Sequence, residues 1–92
     1  ESAVSFIRKA KNSNDCVLTV CNFTPVPRYN YTVGVPRGGY WREILNSDAE
    51  AYGGSALGNF GGLEAAPLPA QRRFHSLSLT LPPLAIVLFK PS

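Results

Sequence analysis

Methionine is missing from all 92 residues, the first position included. A complete open reading frame supplies an initiator, so Glu1 reads as a processed end or a boundary within a longer chain. Charge is also scarce. Charged residues make up 16% of the sequence, against about 25% in an ordinary globular chain, which suggests a surface partly covered by something else. The net charge of +3 is scattered, with only short pairs at Arg8-Lys9 and Arg72-Arg73. Nucleic-acid binders gather basic residues into a stripe or patch, and that class is set aside. No apolar run approaches the roughly 18–20 residues needed to cross a bilayer, and no signal-peptide pattern is present. The sequence predicts neither a nucleic-acid nor a membrane partner.

Cysteine and histidine are too few for a metal set. Cys16 and Cys21 lie five residues apart in one predicted strand, with His75 far along the chain. Two such Cα atoms stand about 16 Å apart at ~3.3 Å per residue, beyond the roughly 7 Å that a disulfide spans. Odd spacing also sends the side chains to opposite faces. Both read as free thiols, which fits a reducing cytoplasm, and neither a zinc site nor any cofactor is predicted.

What is present is strand patterning. Val4–Arg8 is a short run, Lys11–Asp15 is polar turn chemistry, and together they predict a hairpin into Cys16–Phe23. That second run is apolar on both faces: Val17, Cys21 and Phe23 on one, Leu18 and Val20 on the other. A strand buried on both sides is central, with its outer face packed on another layer. Pro25 and Pro27 stop it. Tyr29–Val35 follows with Tyr31, Val33 and Val35 on one face, then a Pro36–Gly39 turn. Tyr40–Leu45 alternates, Trp41 and Leu45 opposite Tyr40, Arg42 and Ile44, and Asn46-Ser47-Asp48 ends it. From Gly53 to Arg73 the chain is rich in Gly and Pro with little pattern, predicting a long loop. His75, Leu77, Leu79 and Leu81 alternate with Ser76, Ser78 and Thr80, the clearest half-buried strand. Pro82-Pro83 turns the chain into Leu84–Lys90. Ninety-two residues make one domain, and no segment holds a helical stripe. The fold class predicted is all-β, an antiparallel β-sandwich of six to eight strands over residues 1–92.

Catalytic chemistry is not legible. Glu1, Asp15, Glu43, Asp48, Glu50 and Glu64 fall mainly in turns or on exposed positions, whereas acid–base work needs paired groups in one pocket. His75 has the phase of Leu77 and reads as structural. Gly58–Gly62 lacks the Lys-Ser/Thr of a phosphate loop. The sequons at Asn22 and Asn30 read as coincidence. The aromatics Tyr29, Tyr31, Tyr40, Trp41, Tyr52, Phe60 and Phe74 could stack on sugar rings or fill a core. For Trp41, burial or an interface is favoured over a sugar contact.

Four blocks then stand in order: Cys21-Asn-Phe-Thr-Pro-Val-Pro-Arg28, Tyr40-Trp-Arg-Glu-Ile-Leu-Asn-Ser-Asp48, Tyr52-Gly-Gly-Ser55 with Gly58-Asn59, and Ser76-Leu-Ser-Leu-Thr-Leu-Pro-Pro-Leu84. Together they resemble the C-terminal domain of bacterial 1,4-α-glucan (glycogen) branching enzymes of the α-amylase superfamily, over essentially the whole chain. Ala70-Gln-Arg-Arg73 departs from that pattern, which carries an aromatic and a glycine there. The resemblance implies a bacterial, cytoplasmic parent with an N-terminal β-domain and a (β/α)8 catalytic barrel upstream. Such a parent cleaves an α-1,4 link with two carboxylates and passes the chain to a 6-hydroxyl. Those carboxylates belong to barrel strands and have no counterpart among these residues. The implied role is structural, a domain docked on the barrel through strand Cys16–Phe23 and loop Gly53–Arg73, that loop being mobile in the isolated domain. A different role is a glucan-binding module contacting α-glucan through Tyr29, Tyr31, Tyr40 and Trp41. A third, an extracellular immunoglobulin-like domain, requires a Cys16–Cys21 bridge.

Overall fold

The alternating runs pair into two facing antiparallel sheets, seen in a computed structural model that describes residues 3–9, 15–48 and 58–92. The described residues form seven strands: β1 (Ala3–Lys9), β2 (Cys16–Asn22), β3 (Arg28–Val35), β4 (Gly39–Asn46), β5 (Gly62–Ala65), β6 (His75–Leu81) and β7 (Ile86–Pro91). Five of them form one sheet in the order β1-β2-β7-β4-β5, and β3 pairs with β6 in the second. The predicted all-β sandwich is therefore the observed architecture. The hairpin closes with Lys9 opposite Cys16, although its turn residues Lys11–Asn14 lie outside the described residues.

The core sits between the sheets. Leu18 and Val20 of β2, Val87 and Phe89 of β7, and Trp41 of β4 face Val33 and Val35 of β3 and Leu77, Leu79 and Leu81 of β6, all essentially without solvent contact. Each large apolar side chain buried this way contributes about 1.5–3 kcal/mol relative to exposure. Strand β2 is interior, as its doubly apolar pattern predicts, being paired to β1 on one side and β7 on the other. Its inner residues alternate as buried, while Val17, Thr19 and Cys21 on the outer face are only half-buried. No second layer covers that outer face among the described residues.

Three expectations about strand bounds and faces need correction. Residues 62–65 of the predicted loop form β5, which pairs with β4 from Gly39↔Ala65 to Arg42↔Gly62. Beyond it, Ala66 bridges Ser76 and Ala70 bridges Arg73, so the described part of that segment is built rather than irregular. Residues 53–57 lie outside the described residues. Next, Leu45 does not share the face of Trp41. A bulge between Glu43 and Leu45 shifts the register, so that Leu45 pairs with the outward Leu88 and Asn46 takes the inward place opposite Val87. Last, the final strand begins at Ile86, because Leu84 adopts the left-handed region at φ 51° and belongs to the turn.

Two buried asparagines join the parts. Asn22, at the end of β2, donates from Nδ2 to the carbonyls of Val26 (2.9 Å) and Pro82 (3.0 Å). Its Oδ1 accepts from Thr24 N (3.0 Å) and Thr24 Oγ1 (2.6 Å). The amide is thus fully used, which fastens the β2–β3 connection to the β6–β7 turn and leaves the Asn22 sequon no free nitrogen. Asn59 donates to Glu43 Oε2 (2.9 Å) and Thr80 O (3.0 Å) and accepts from Thr80 N (2.7 Å). It ties the five-stranded sheet, through β4, to the outer edge of β6.

Candidate functional site

The residues that sequence reasoning offered for a glucan contact do not converge. Trp41 has no exposed surface, and its Nε1 donates to the Arg37 carbonyl at 3.2 Å, the burial favoured for it. Tyr31 packs partly buried against the core, because it holds the inward phase of Val33 and Val35 on β3. Tyr29 is exposed beside the bulge between Arg28 and Tyr31, where Asn30 takes φ 56°. Tyr40 is exposed on the outer face of β4. There its ring covers Gly62 so closely that a Cβ on that glycine would collide with the Tyr40 hydroxyl. A tyrosine laid over a strand glycine is a packing device of sheets. The two exposed rings, Tyr29 and Tyr40, therefore stand on different sheets, and Tyr52 lies outside the described residues.

The titratable groups likewise have separate structural partners. Asp15 pairs with Lys90 Nζ at 3.1 Å, and Glu43 accepts from Asn59. Glu64 stands on β5 directly opposite Tyr40. The His75 ring lies on Gly38, since a Cβ there would stand 3.2 Å from His75 Cδ2 and Nε2. Asp48 sits in the turn after β4, its backbone N bonded to Asn46 Oδ1 at 2.9 Å, while Glu1 and Glu50 lie outside the described residues. Among the described residues no group of three or more His, Cys, Asp or Glu could hold a metal. Both cysteines are free thiols, Cys16 inward and Cys21 outward, so the bridge required by an immunoglobulin-like reading is not there. Burial pushes the Cys16 thiol above its ordinary range, with nearby Arg37 and Lys9 opposing that shift, which marks it as an inert core residue rather than a nucleophile.

Besides shallow grooves beside Arg8 and Val17 on the outer face of the five-stranded sheet, two further clefts among the described residues bear on catalysis. One, of about 210 Å³, opens between the edges of β1 and β3 and is lined by Ser5, Ile7, Gly34, Gln71 and Arg73 among others. Gln71 Oε1 is already engaged there, accepting from Gly34 N at 2.7 Å. The other, of about 520 Å³, runs along Thr32, Ser78 and Leu63, with Glu64 as its one acidic lining residue. Neither presents the two carboxylates that flank a glycosidic bond in hydrolysis or transfer.

The feature that does stand out is apolar and external. Val4 and Phe6 of β1, Cys21 of β2, and Ile86 and Leu88 of β7 share the outer face of the five-stranded sheet, most of them well exposed. Phe23 (62% exposed) and Leu84 (68%) stand exposed just past the end of β2 and just before β7. Sequence reasoning had marked β2 as doubly apolar. It missed the contribution of Leu84, for which the signal was a large apolar residue directly after two prolines. Among the described residues no helix is long and apolar enough to cross a membrane.

Comparison with known proteins gives this surface a context. The family described as "Alpha amylase, C-terminal all-beta domain" matches residues 1–92. The 1,4-alpha-glucan branching enzyme GlgB of Aquifex aeolicus is 59% identical over 90 residues, covering 98% of this chain and 14% of that protein. The enzyme of the same name from Aromatoleum aromaticum is also 59% identical over 90 residues, with the same coverage. That from Thermosynechococcus vestitus is 53% identical over 89 residues, covering 97% of this chain and 12% of the relative. The chain thus spans about one seventh of the length of the first two of these relatives.

Proposed function

Because this chain belongs to the alpha amylase C-terminal all-beta domain family, we propose that it is the non-catalytic closing domain of a bacterial, cytoplasmic 1,4-α-glucan branching enzyme. In that role it docks on the catalytic barrel and stabilises it. The parent would cut an α-1,4-glucan and transfer the segment to a 6-hydroxyl, forming the branches of glycogen. The observation that carries this reading is the pairing of a closed, fully packed core with an exposed apolar outer face on β1, β2 and β7. A domain that buries Trp41, Phe89, Leu18, Leu77, Leu79 and Leu81 completely has no internal reason to leave Phe6, Phe23 and Leu84 in water. Val4, Phe6, Cys21, Ile86 and Leu88 are neighbours on one sheet face, and a contiguous exposed apolar patch marks an interaction site.

Interaction through the described part of the Gly53–Arg73 segment is less favoured, since residues 62–66 are committed to β4 and β6. A glucan contact through Tyr29 and Tyr40 keeps only the support of their exposure.

The test is an iodine-stain branching assay on amylose with the 92-residue chain alone and with the full-length protein that carries it. The reading predicts no conversion by the chain alone and branching by the full-length protein. Conversion by the chain alone would overturn it.

A further inference from the structure

The outer face of the five-stranded sheet is not uniform along its strands. The register places Val4, Cys21 and Ile86 in one row across β1, β2 and β7. Further along lies the row of Phe6, Thr19 and Leu88, and beyond it Arg8 and Val17. Lys90, paired with Asp15, closes the far end. The face therefore runs from apolar to charged. At the apolar end the chain passes through Pro25, Pro27, Pro82 and Pro83, and there Phe23 and Leu84 project.

This end is also stiff. Leu84 N donates to Thr24 O and Asn22 N to Ala85 O, both at 2.9 Å, and the Asn22 side chain binds Val26 and Pro82. Proline fixes φ on both segments. Leu84 itself is held in the left-handed region, which L-residues with branched side chains disfavour. A leucine left two-thirds in solvent adds little to the core.

The direction of β1 identifies the partner. Ala3, its first residue, pairs with Asn22, so β1 begins at the proline end of the sandwich. The family is a C-terminal one, and relatives at 59% identity are about seven times longer than the stretch matched here. The bulk of such a protein precedes β1. We propose that the patch of Val4, Phe6, Cys21, Phe23, Leu84 and Ile86 is the seat of the upstream catalytic portion of the same polypeptide, with the charged end of the face left in solvent. This rests on the closing-domain reading above and narrows it to one end of one sheet. A covalent link favours that contact, because no association entropy of separate chains is lost.

Hydroxyl-radical footprinting of the full-length protein tests it, read by peptide mass spectrometry. The proposal predicts oxidation of Phe23 and Leu84, each rate divided by the intrinsic reactivity of its residue type, at least five-fold slower than that of Phe74, which is 83% exposed in this domain. The protection should persist unchanged through a twenty-fold dilution. Reactive Phe23 and Leu84 with protection elsewhere on the domain would overturn the seat while leaving docking intact. No protection anywhere on the domain would overturn both. Protection that fades on dilution would assign the patch to a second copy and also overturn the seat. Alkylation of Cys21 gives a second readout: Phe23→Ser with Leu84→Ser should raise its rate at least five-fold in the folded full-length protein, and an unchanged rate counts against the proposal.

Discussion

Asn59 pairs with Thr80 as if it were a strand residue: its side-chain oxygen accepts from Thr80 N at 2.7 Å and its side-chain nitrogen donates to Thr80 O at 3.0 Å. One amide side chain thereby satisfies a peptide on the edge of β6 that the β-ladders leave open. The second amide hydrogen reaches Glu43 on β4, so the same residue holds the two sheets together. Buried peptide groups left without partners cost about 1–3 kcal/mol each. Asn59→Ala should therefore lower the stability of the domain by about 2–4 kcal/mol, measured by urea denaturation. Asn59→Asp should cost at least as much at neutral pH, since it brings a carboxylate against Glu43 and the Thr80 carbonyl. A loss below about 1 kcal/mol for either would contradict the bridging role.

Gly34 answers to space rather than to backbone conformation. A Cβ there would collide with the Ala70 carbonyl oxygen and stand 2.9 Å from its carbon, and both are backbone atoms held by the Ala70–Arg73 bridge. Gly34→Ala should cost about 2–3 kcal/mol, in the range of overpacked cores. Gly61, at φ 90° with nothing near its missing Cβ, has only conformational strain to lose. Gly61→Ala should cost about 1 kcal/mol. Paired urea titrations check the order, and equal losses would show that the approach of Ala70 to β3 relaxes freely.

Phe60 is fully exposed at φ 54°, in the turn closed by Gly62 N on Asn59 O at 3.1 Å. Replacing it by glycine relieves left-handed strain and gives up no packing within the domain, against a gain in unfolded-state freedom. Phe60→Gly should leave the isolated domain unchanged or more stable by up to about 1 kcal/mol. A loss of more than 1 kcal/mol would mean that the ring packs on this domain in solution.

The Cys16 thiol supplies a pH dependence with a defined sign. Burial raises its pKa above the ordinary value of 9.0, so the native state holds the proton more tightly than the unfolded chain. Its contribution is fully present below pH 9.0 and is lost as pH rises through that value toward the folded one. Urea midpoints of the domain and of Cys16→Ala, taken from pH 7 to about 10.5, should therefore converge on the alkaline side. A constant gap between the two curves would contradict a buried, protonated Cys16.

Most of the fold was legible because strands announce themselves by alternation. His75–Leu81 alternates with turn residues at its borders and was read with the correct inner face, whereas Cys16–Phe23 was read as central and apolar on both faces, and its strand ends at Asn22 with one face half-buried. β5 was not, because four residues beginning with Gly62 carry no period of their own; the pairing with β4 and the Tyr40 ring over Gly62 make the strand. The face of Leu45 was misread because a bulge at Ile44 leaves no mark in composition. Asn22 was read only as a sequon within strand Cys16–Phe23 and Asn59 only as part of the glycine-rich Gly58–Gly62 stretch, although a polar residue ending an apolar strand, as Asn22 does, was the available sign. Of the proposed sugar contacts, the phase of Tyr31 with Val33 already pointed inward. The exposed patch was half visible in the doubly apolar β2, while its extension to Leu84 depended on the turn geometry after Pro82-Pro83.

The central claim is that this domain supports a catalytic portion without taking part in its chemistry. The most direct measurement is the heat-inactivation temperature of branching activity in the full-length protein, compared among wild type, Gly61→Ala, Gly34→Ala and Asn59→Ala. The account predicts inactivation temperatures falling in the rank order of the domain's own losses, by several degrees per kcal/mol at the scale of a small domain, with unchanged turnover at low temperature. Inactivation temperatures that ignore the domain's stability, or turnover that falls while the domain is still folded, would contradict it.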